Sequence, residues 1–115
     1  SIDHTITMAS RGDFAHMLFR NSDLRNIVFQ HSNLNHAILS DTILCGCNFS
    51  HADLRFSDLT NADIHYACLT GALLDGCNMT GADLRGTELP DGFCSMDQNE
   101  QVEHLKSLNI PELII

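Results

Sequence analysis

The chain has 115 residues, enough for one domain, and carries 15 acidic against 6 basic side chains for a formal net charge of −9. That balance excludes ordinary nucleic-acid binding through phosphates. No apolar run is long enough to span a bilayer and no secretory h-region is visible, so neither a membrane partner nor direct nucleic-acid binding is expected.

Residues 1–11 read as an N-terminal cap segment in which "HTITM" (4–8) adds a short strand over whatever follows. From residue 12 a different order takes over. In "SHADLRFSDLTNADI" (50–64) a small residue, an Asp and an aliphatic residue recur every five positions. Extended both ways, the aliphatic slot is filled without a gap by Phe14, Phe19, Leu24, Phe29, Leu34, Leu39, Leu44, Phe49, Leu54, Leu59, Ile64, Leu69, Leu74, Met79, Leu84 and Leu89. The slot two residues earlier is small except at Met17 and Ile27. A period of five suits neither a helix, which repeats near 3.6, nor a flat strand, which repeats at 2.0. It does suit a chain that turns a corner once per repeat, so that each central residue points to a common axis and successive coils stack about 4.8 Å apart. Spacing alone leaves three or four corners per coil open.

The motifs "NADIH", "SHADLRF" and "GADLRG" resemble the A(D/N)LXX repeat of the pentapeptide-repeat family over roughly residues 12–91. The resemblance implies an all-β solenoid, a right-handed quadrilateral β-helix of about four coils with four repeats per coil. Such a stack would rise only about 15–20 Å. Its first coil holds Phe14, Phe19 and Phe29 with Met17 and Ile27, bulk that reads as a plug at an open end.

At the other end "LPDG" (89–92) stops the pattern, and residues 92–115 read as a separate cap. Asp97 with Glu100 forms a capping-box-like start, and Val102, Leu105 and Leu108 give one apolar stripe before Pro111. A short C-terminal α-helix at about 97–108 covering the last coil is therefore expected. Ile110, Leu113, Ile114 and Ile115 are then left for a weak homodimer through the C-terminus, since an uncovered strand edge invites pairing. A first residue other than Met is expected of a piece of a longer protein.

The chemistry of the repeat positions points away from catalysis. No triad, catalytic carboxylate pair or phosphate loop is visible, so a non-enzyme without cofactor or metal is expected. His16 and His36, and His31 and His51, fall one coil apart but lack a third ligand, which favours solvated turn histidines. Cys47 and Cys77 take inward slots and Cys45 and Cys68 outward ones; reduced, structural thiols suggest a cytoplasmic location. Gly46, Gly71, Gly76, Gly81 and Gly86 fall at corners.

Asp53, Asp58, Asp63 and Asp83 point outward and form a candidate acidic face. Relatives of the quinolone-resistance type are thought to imitate duplex DNA on type II topoisomerases such as gyrase, so the resemblance implies a DNA-mimic alternative. Two points weigh against it. Asp23, Asp53 and Asp83 each have an Arg two residues on, and about four coils reach only half a turn of B-DNA, which needs ~34 Å. The slot before the central residue is more telling. It is usually polar, yet includes Leu18, Val28, Ile38, Ile43 and Leu73, with Phe56 and Tyr66 at corners. Clustered outward apolar groups suggest contact. The leading expectation is a non-catalytic protein-protein interaction or scaffold module using Leu18, Val28, Ile38, Ile43, Phe56 and Tyr66 toward a protein partner. A recognition domain of a secreted bacterial effector is a further alternative by analogy with the family.

Overall fold

A corner every five residues needs a backbone that reverses cheaply, and the repeat supplies one. In the computed structural model, which describes residues 8–89, the carbonyl of a central residue accepts the N–H of the small residue three positions on. Ala37 N–H to Leu34 C=O at 3.0 Å and Ala67 N–H to Ile64 C=O at 3.0 Å are examples. The residue just before that small one has positive φ, from 55° at Asp41 to 75° at Gly81, which is the type II turn pattern. Asn, Asp and His tolerate this region better than most side chains. Phe56 (φ 61°) and Tyr66 (φ 58°) occupy it as well.

The coil closes after four corners. Every bridge is parallel and joins a residue to the one twenty positions on, from Met8 with Val28 to Cys68 with Glu88. Twenty residues are four repeats, so residues 8–89 make about four coils of a β-solenoid with four walls. The bridging residues of the first wall are Met8, Val28, Asn48, Cys68 and Glu88; of the second, Asp13, Asn33, Asp53 and Leu73. The third carries Leu18, Ile38, Asp58 and Asn78, and the fourth Asp23, Ile43, Asp63 and Asp83. The register is already present at Met8. Around Leu34 the ladder reads Leu34 N–H to Asp53 C=O at 2.8 Å, His36 N–H to Arg55 C=O at 3.1 Å and Asn33 N–H to Gly12 C=O at 2.8 Å.

Along the axis the central side chains form a continuous apolar column, and Leu34, Leu39, Leu44, Leu54, Ile64 and Leu69 are fully buried. The small slot has a second duty. Ser32 and Ser57 hydroxyls donate to the carbonyls of Phe29 and Leu54 at 2.6 and 2.7 Å, and Thr42 reaches Phe19 C=O at 3.0 Å. Among the described residues no buried side-chain nitrogen or oxygen lacks a partner. Phe14, Phe19 and Phe29 meet edge to face with centroids 5.6–6.5 Å apart, and Phe29 stacks on Phe49 at 5.3 Å. Met17 departs from the plug expected of it. It is 45% exposed, because no described coil lies above the first turn to take up its side chain.

The strand expected at 4–8 is represented here only by Met8. The helix expected at about 97–108 and the tail Ile110, Leu113, Ile114 and Ile115 lie outside the described residues.

Corners stack as well as walls. A Cβ added to Gly76 would sit 2.5 Å from Phe56 Cδ1, and one added to Gly86 would sit 2.4 Å from Tyr66 Cδ1. Each aromatic lies over the bare backbone of the next coil, so glycine there answers both the positive φ and the ring. Gly76→Ala should therefore lower unfolding free energy by more than the ~1 kcal/mol of left-handed strain alone. In a Phe56→Ala background the penalty should fall back toward that value, as read from urea denaturation. Equal penalties in the two backgrounds would show that the ring is not the obstacle.

Candidate interaction surface

Of the five backbone N–H groups in a repeat, the coil itself uses four: one in the turn and three in the ladder. The fifth belongs to the residue after the central one, and a side chain takes it. All nine Asp and Asn residues in the bridging slot accept this N–H through Oδ1. Examples are Asn33 from Asn35 at 3.0 Å, Asp53 from Arg55 at 3.0 Å, Asp58 from Thr60 at 2.9 Å and Asp83 from Arg85 at 3.1 Å. This is the local side chain-to-backbone bond for which Asp and Asn are suited. The acidic residue of the repeat is thus a backbone acceptor first and a surface charge second.

That accounting gives weight to the exceptions. Leu18, Val28, Ile38, Ile43 and, on the second wall, Leu73 stand in the bridging slot and offer no acceptor to Arg20, Gln30, Ser40, Cys45 and Asp75. Each such departure forgoes a bond worth about 0.5–1.5 kcal/mol. Leu18 and Ile38 adjoin on the third wall, and Ile43 lies on the fourth, across the corner at Asp41. Leu18 is 61% exposed and Ile43 40%, whereas Val28 and Ile38 are half-buried by their neighbours. The corner edging the third wall carries a stack: His16 on His36 at 4.9 Å and His36 on Phe56 at 5.1 Å. Phe56 thus stands at the corner beside the third wall, one coil on from Ile38. Val28 is on the first wall, and Tyr66 stands at the far corner of the fourth, edge-on to His65 at 5.2 Å. The six residues expected to act together fall into a main group on the third and fourth walls and two outliers.

The acidic candidates do not form one face. Asp53 is on the second wall, Asp58 on the third, and Asp63 and Asp83 on the fourth. Arg55 grips both carboxylate oxygens of Asp53 at 2.9 and 3.0 Å, and Arg85 does the same to Asp83. Asp23 pairs likewise with Arg25 at 2.8 Å, and Asp63 pairs with His65. The hydrogen bond from Arg55 holds the Asp53 carboxyl below its ordinary value, and that from Arg85 pulls Asp83 down to about 2. The inward thiols move the other way: burial pushes Cys47 up to about 12 and Cys77 up to about 11.

Among the described residues neither histidine pair gathers a third ligand; His31 and His51 stack at 5.0 Å. Metal-binding side-chain types converge elsewhere, at Cys45, Asp63 and His65. No helix among the described residues is long and apolar enough to cross a membrane.

The twenty-residue register, the small inward slot and the Asp/Asn acceptor together define the repeat. A protein-family model described as pentapeptide repeats matches eight copies over residues 13–44, 38–76 and 69–92. The chain belongs to the pentapeptide repeat family. It is similar in structure to alr5209, a pentapeptide repeat protein from Nostoc PCC 7120, with 25% identity and a TM-score of 0.68 over 94% of this chain and 86% of that one. HetL, a pentapeptide repeat protein involved in heterocyst differentiation regulation from Nostoc sp. strain PCC 7120, gives 28% identity and a TM-score of 0.43 over 71% of this chain and 42% of that one. QnrB1, a plasmid-mediated fluoroquinolone resistance protein, gives 16% identity and a TM-score of 0.32 over 91% of this chain and 66% of that one. The last two likenesses are too slight to argue from. No curated protein matches the chain.

The ion pairs of this pentapeptide repeat chain set a pH dependence. Asp83 has a folded-state pKa below its unfolded value, so its pairing stabilises the fold above the ordinary carboxylate range and is lost as pH falls toward about 2. Arg85→Met should therefore lower the melting temperature at neutral pH. The gap to wild type should shrink below about pH 4 and in high salt. A gap that is the same at low pH would assign the effect to lost packing of the Arg85 stem.

Proposed function

We propose that this pentapeptide repeat chain is a non-catalytic protein-binding module, and that the area formed by Leu18, Ile38, Ile43 and Phe56 is its contact surface. One observation carries the reading. At Leu18, Ile38 and Ile43 the repeat gives up its Asp/Asn acceptor for an outward aliphatic side chain, at a cost in backbone hydrogen bonding that nothing inside the coil recovers. A protein partner that covers these side chains would recover it through apolar burial, worth about 25 cal/mol per Å². A rigid wall also binds with little ordering cost. Val28 and Tyr66 lie outside this area as secondary contacts.

The DNA-mimic reading has less support. Imitation of a phosphate row needs uncompensated charge, whereas Asp53 and Asp83 are each held by an arginine on their own rung. The candidates Asp53, Asp58, Asp63 and Asp83 are also spread over three walls.

A triple substitution that restores the repeat separates contact from architecture. Leu18→Asn, Ile38→Asn and Ile43→Asn together should keep the melting temperature or raise it, because each Asn regains an acceptor. The same variant should no longer compete with wild type for proteins retained on the immobilised chain. A variant that still competes would place the contact surface elsewhere. One that loses stability by several kcal/mol would make the three side chains structural.

A further inference from the structure

The fourth wall carries a regular pattern that its two middle rungs break. Asp and Arg flank the central residue in the first rung (Asp23, Arg25) and in the last (Asp83, Arg85), each as an ion pair. Between them, Ile43 and Cys45 replace both partners on the second rung, and His65 replaces Arg on the third. Two arginine positions have thus become a thiol and an imidazole, one directly above the other, with a carboxylate beside them. One ligand atom from each of Cys45, Asp63 and His65 lies within 4.8 Å of the others.

We propose that Cys45, Asp63 and His65 form a site for a divalent transition-metal cation of the zinc class, with solvent in the fourth position. The donor set is the first argument. Sulfur, imidazole nitrogen and carboxylate oxygen bind zinc at about 2.3, 2.0–2.1 and 2.0–2.2 Å, so ligand atoms on one ion sit roughly 3.3–3.8 Å apart. Asp63 Oδ1 and His65 Nδ1 already meet in a hydrogen bond, so binding exchanges that bond for metal bonds and draws the Cys45 sulfur in toward the pair. A thiolate disfavours calcium and magnesium, which take oxygen ligands.

Preorganisation is the second. Leu44 N–H donates to Asp63 C=O at 2.7 Å and Gly46 N–H to His65 C=O at 3.1 Å, so ladder bonds on both sides of Cys45 fix it over the rung that carries the other two ligands. The Asp63 carboxylate is turned along its rung by the N–H of His65 at 3.3 Å. Sites built on rigid elements hold ligands more closely than loops do. Charge is the third: a dication with one thiolate, one carboxylate and a neutral imidazole sums to zero. Arg25 and Arg85, the nearest cations along the wall, are paired with Asp23 and Asp83. All three ligands are half-buried, and His65 also lines an open depression of about 260 Å³ with Tyr66 and Arg85. On binding, the Cys45 S–H bond is replaced by a sulfur–metal bond and the proton passes to solvent.

Cobalt(II) titration of the reduced, full chain tests this. The expected result is a near-ultraviolet thiolate-to-cobalt charge-transfer band with the visible bands of a tetrahedral ion, both removed by zinc. Cys45→Ser should abolish the charge-transfer band and weaken zinc binding at least 100-fold or so in competition with a chromophoric chelator, since even second-shell losses cost about 10–100-fold. His65→Arg, which restores the residue of the first and last rungs of this wall and so keeps the fold, should have the same effect. Cys68→Ser, on another wall, should change nothing. No charge-transfer band in wild type, a band that survives Cys45→Ser, or one that is lost with Cys68→Ser overturns the proposal.

Discussion

A chain that turns a corner every five residues must still find acceptors for five backbone N–H groups per repeat. The turn and the ladder take four, and the fifth, on the residue after the central one, depends on the side chain in the bridging slot. That single bond explains why the repeat favours Asp or Asn there, where any polar residue would satisfy solvation alone. It also couples inside to outside. The central side chain can face the axis only while the residues on either side of it point outward, and these are the residues the bond ties together. Ser32, Thr42 and Ser57 solve the same problem for the inward slot by returning their hydroxyls to backbone carbonyls.

Function, on this account, is written where the repeat is broken. The bridging slot carries a cost when it departs from Asp or Asn, so Leu18, Ile38 and Ile43 are more informative than any exposed aliphatic residue on an ordinary surface. The position after the central residue carries no such cost and varies freely among Arg, Ser, Thr, Asn, Gln, Asp, Ala, Cys and His. It is there that Cys45 and His65 replace arginine. Corners form a third set, in which His16, His36 and Phe56 stack along the axis and Gly76 receives the ring above it.

The solenoid was legible because sixteen unbroken apolar slots leave a chain almost no other way to bury them. Four corners per coil were not legible from spacing and came from family resemblance; the bridges at an offset of twenty agree. What was missed follows from physics that a one-dimensional pattern hides. The arginines that pair with Asp53 and Asp83 were legible two residues on, but the backbone N–H that each carboxylate also accepts was not. Val28 and Ile38 look exposed by slot, yet neighbouring rungs half-cover them. Cys45 and His65 are twenty residues apart, so the coil period sets them on adjacent rungs of one wall, a pairing between unlike residues that a like-with-like reading of histidines passes over. The histidine pairs at corners stack face to face.

The bridging-slot bond is the claim on which both the fold and the surface assignment rest, and residue-resolved amide hydrogen exchange measures it directly. The N–H groups of Arg55 and Thr60, accepted by Asp53 and Asp58, should be strongly protected. Those of Ser40 and Thr70, which follow bridging slots filled by Ile38 and Cys68 and sit at comparable half-buried positions within the stack, should exchange much faster. Equal protection of the two sets would contradict the account, because the acceptor would then be dispensable and the apolar departures would carry no cost.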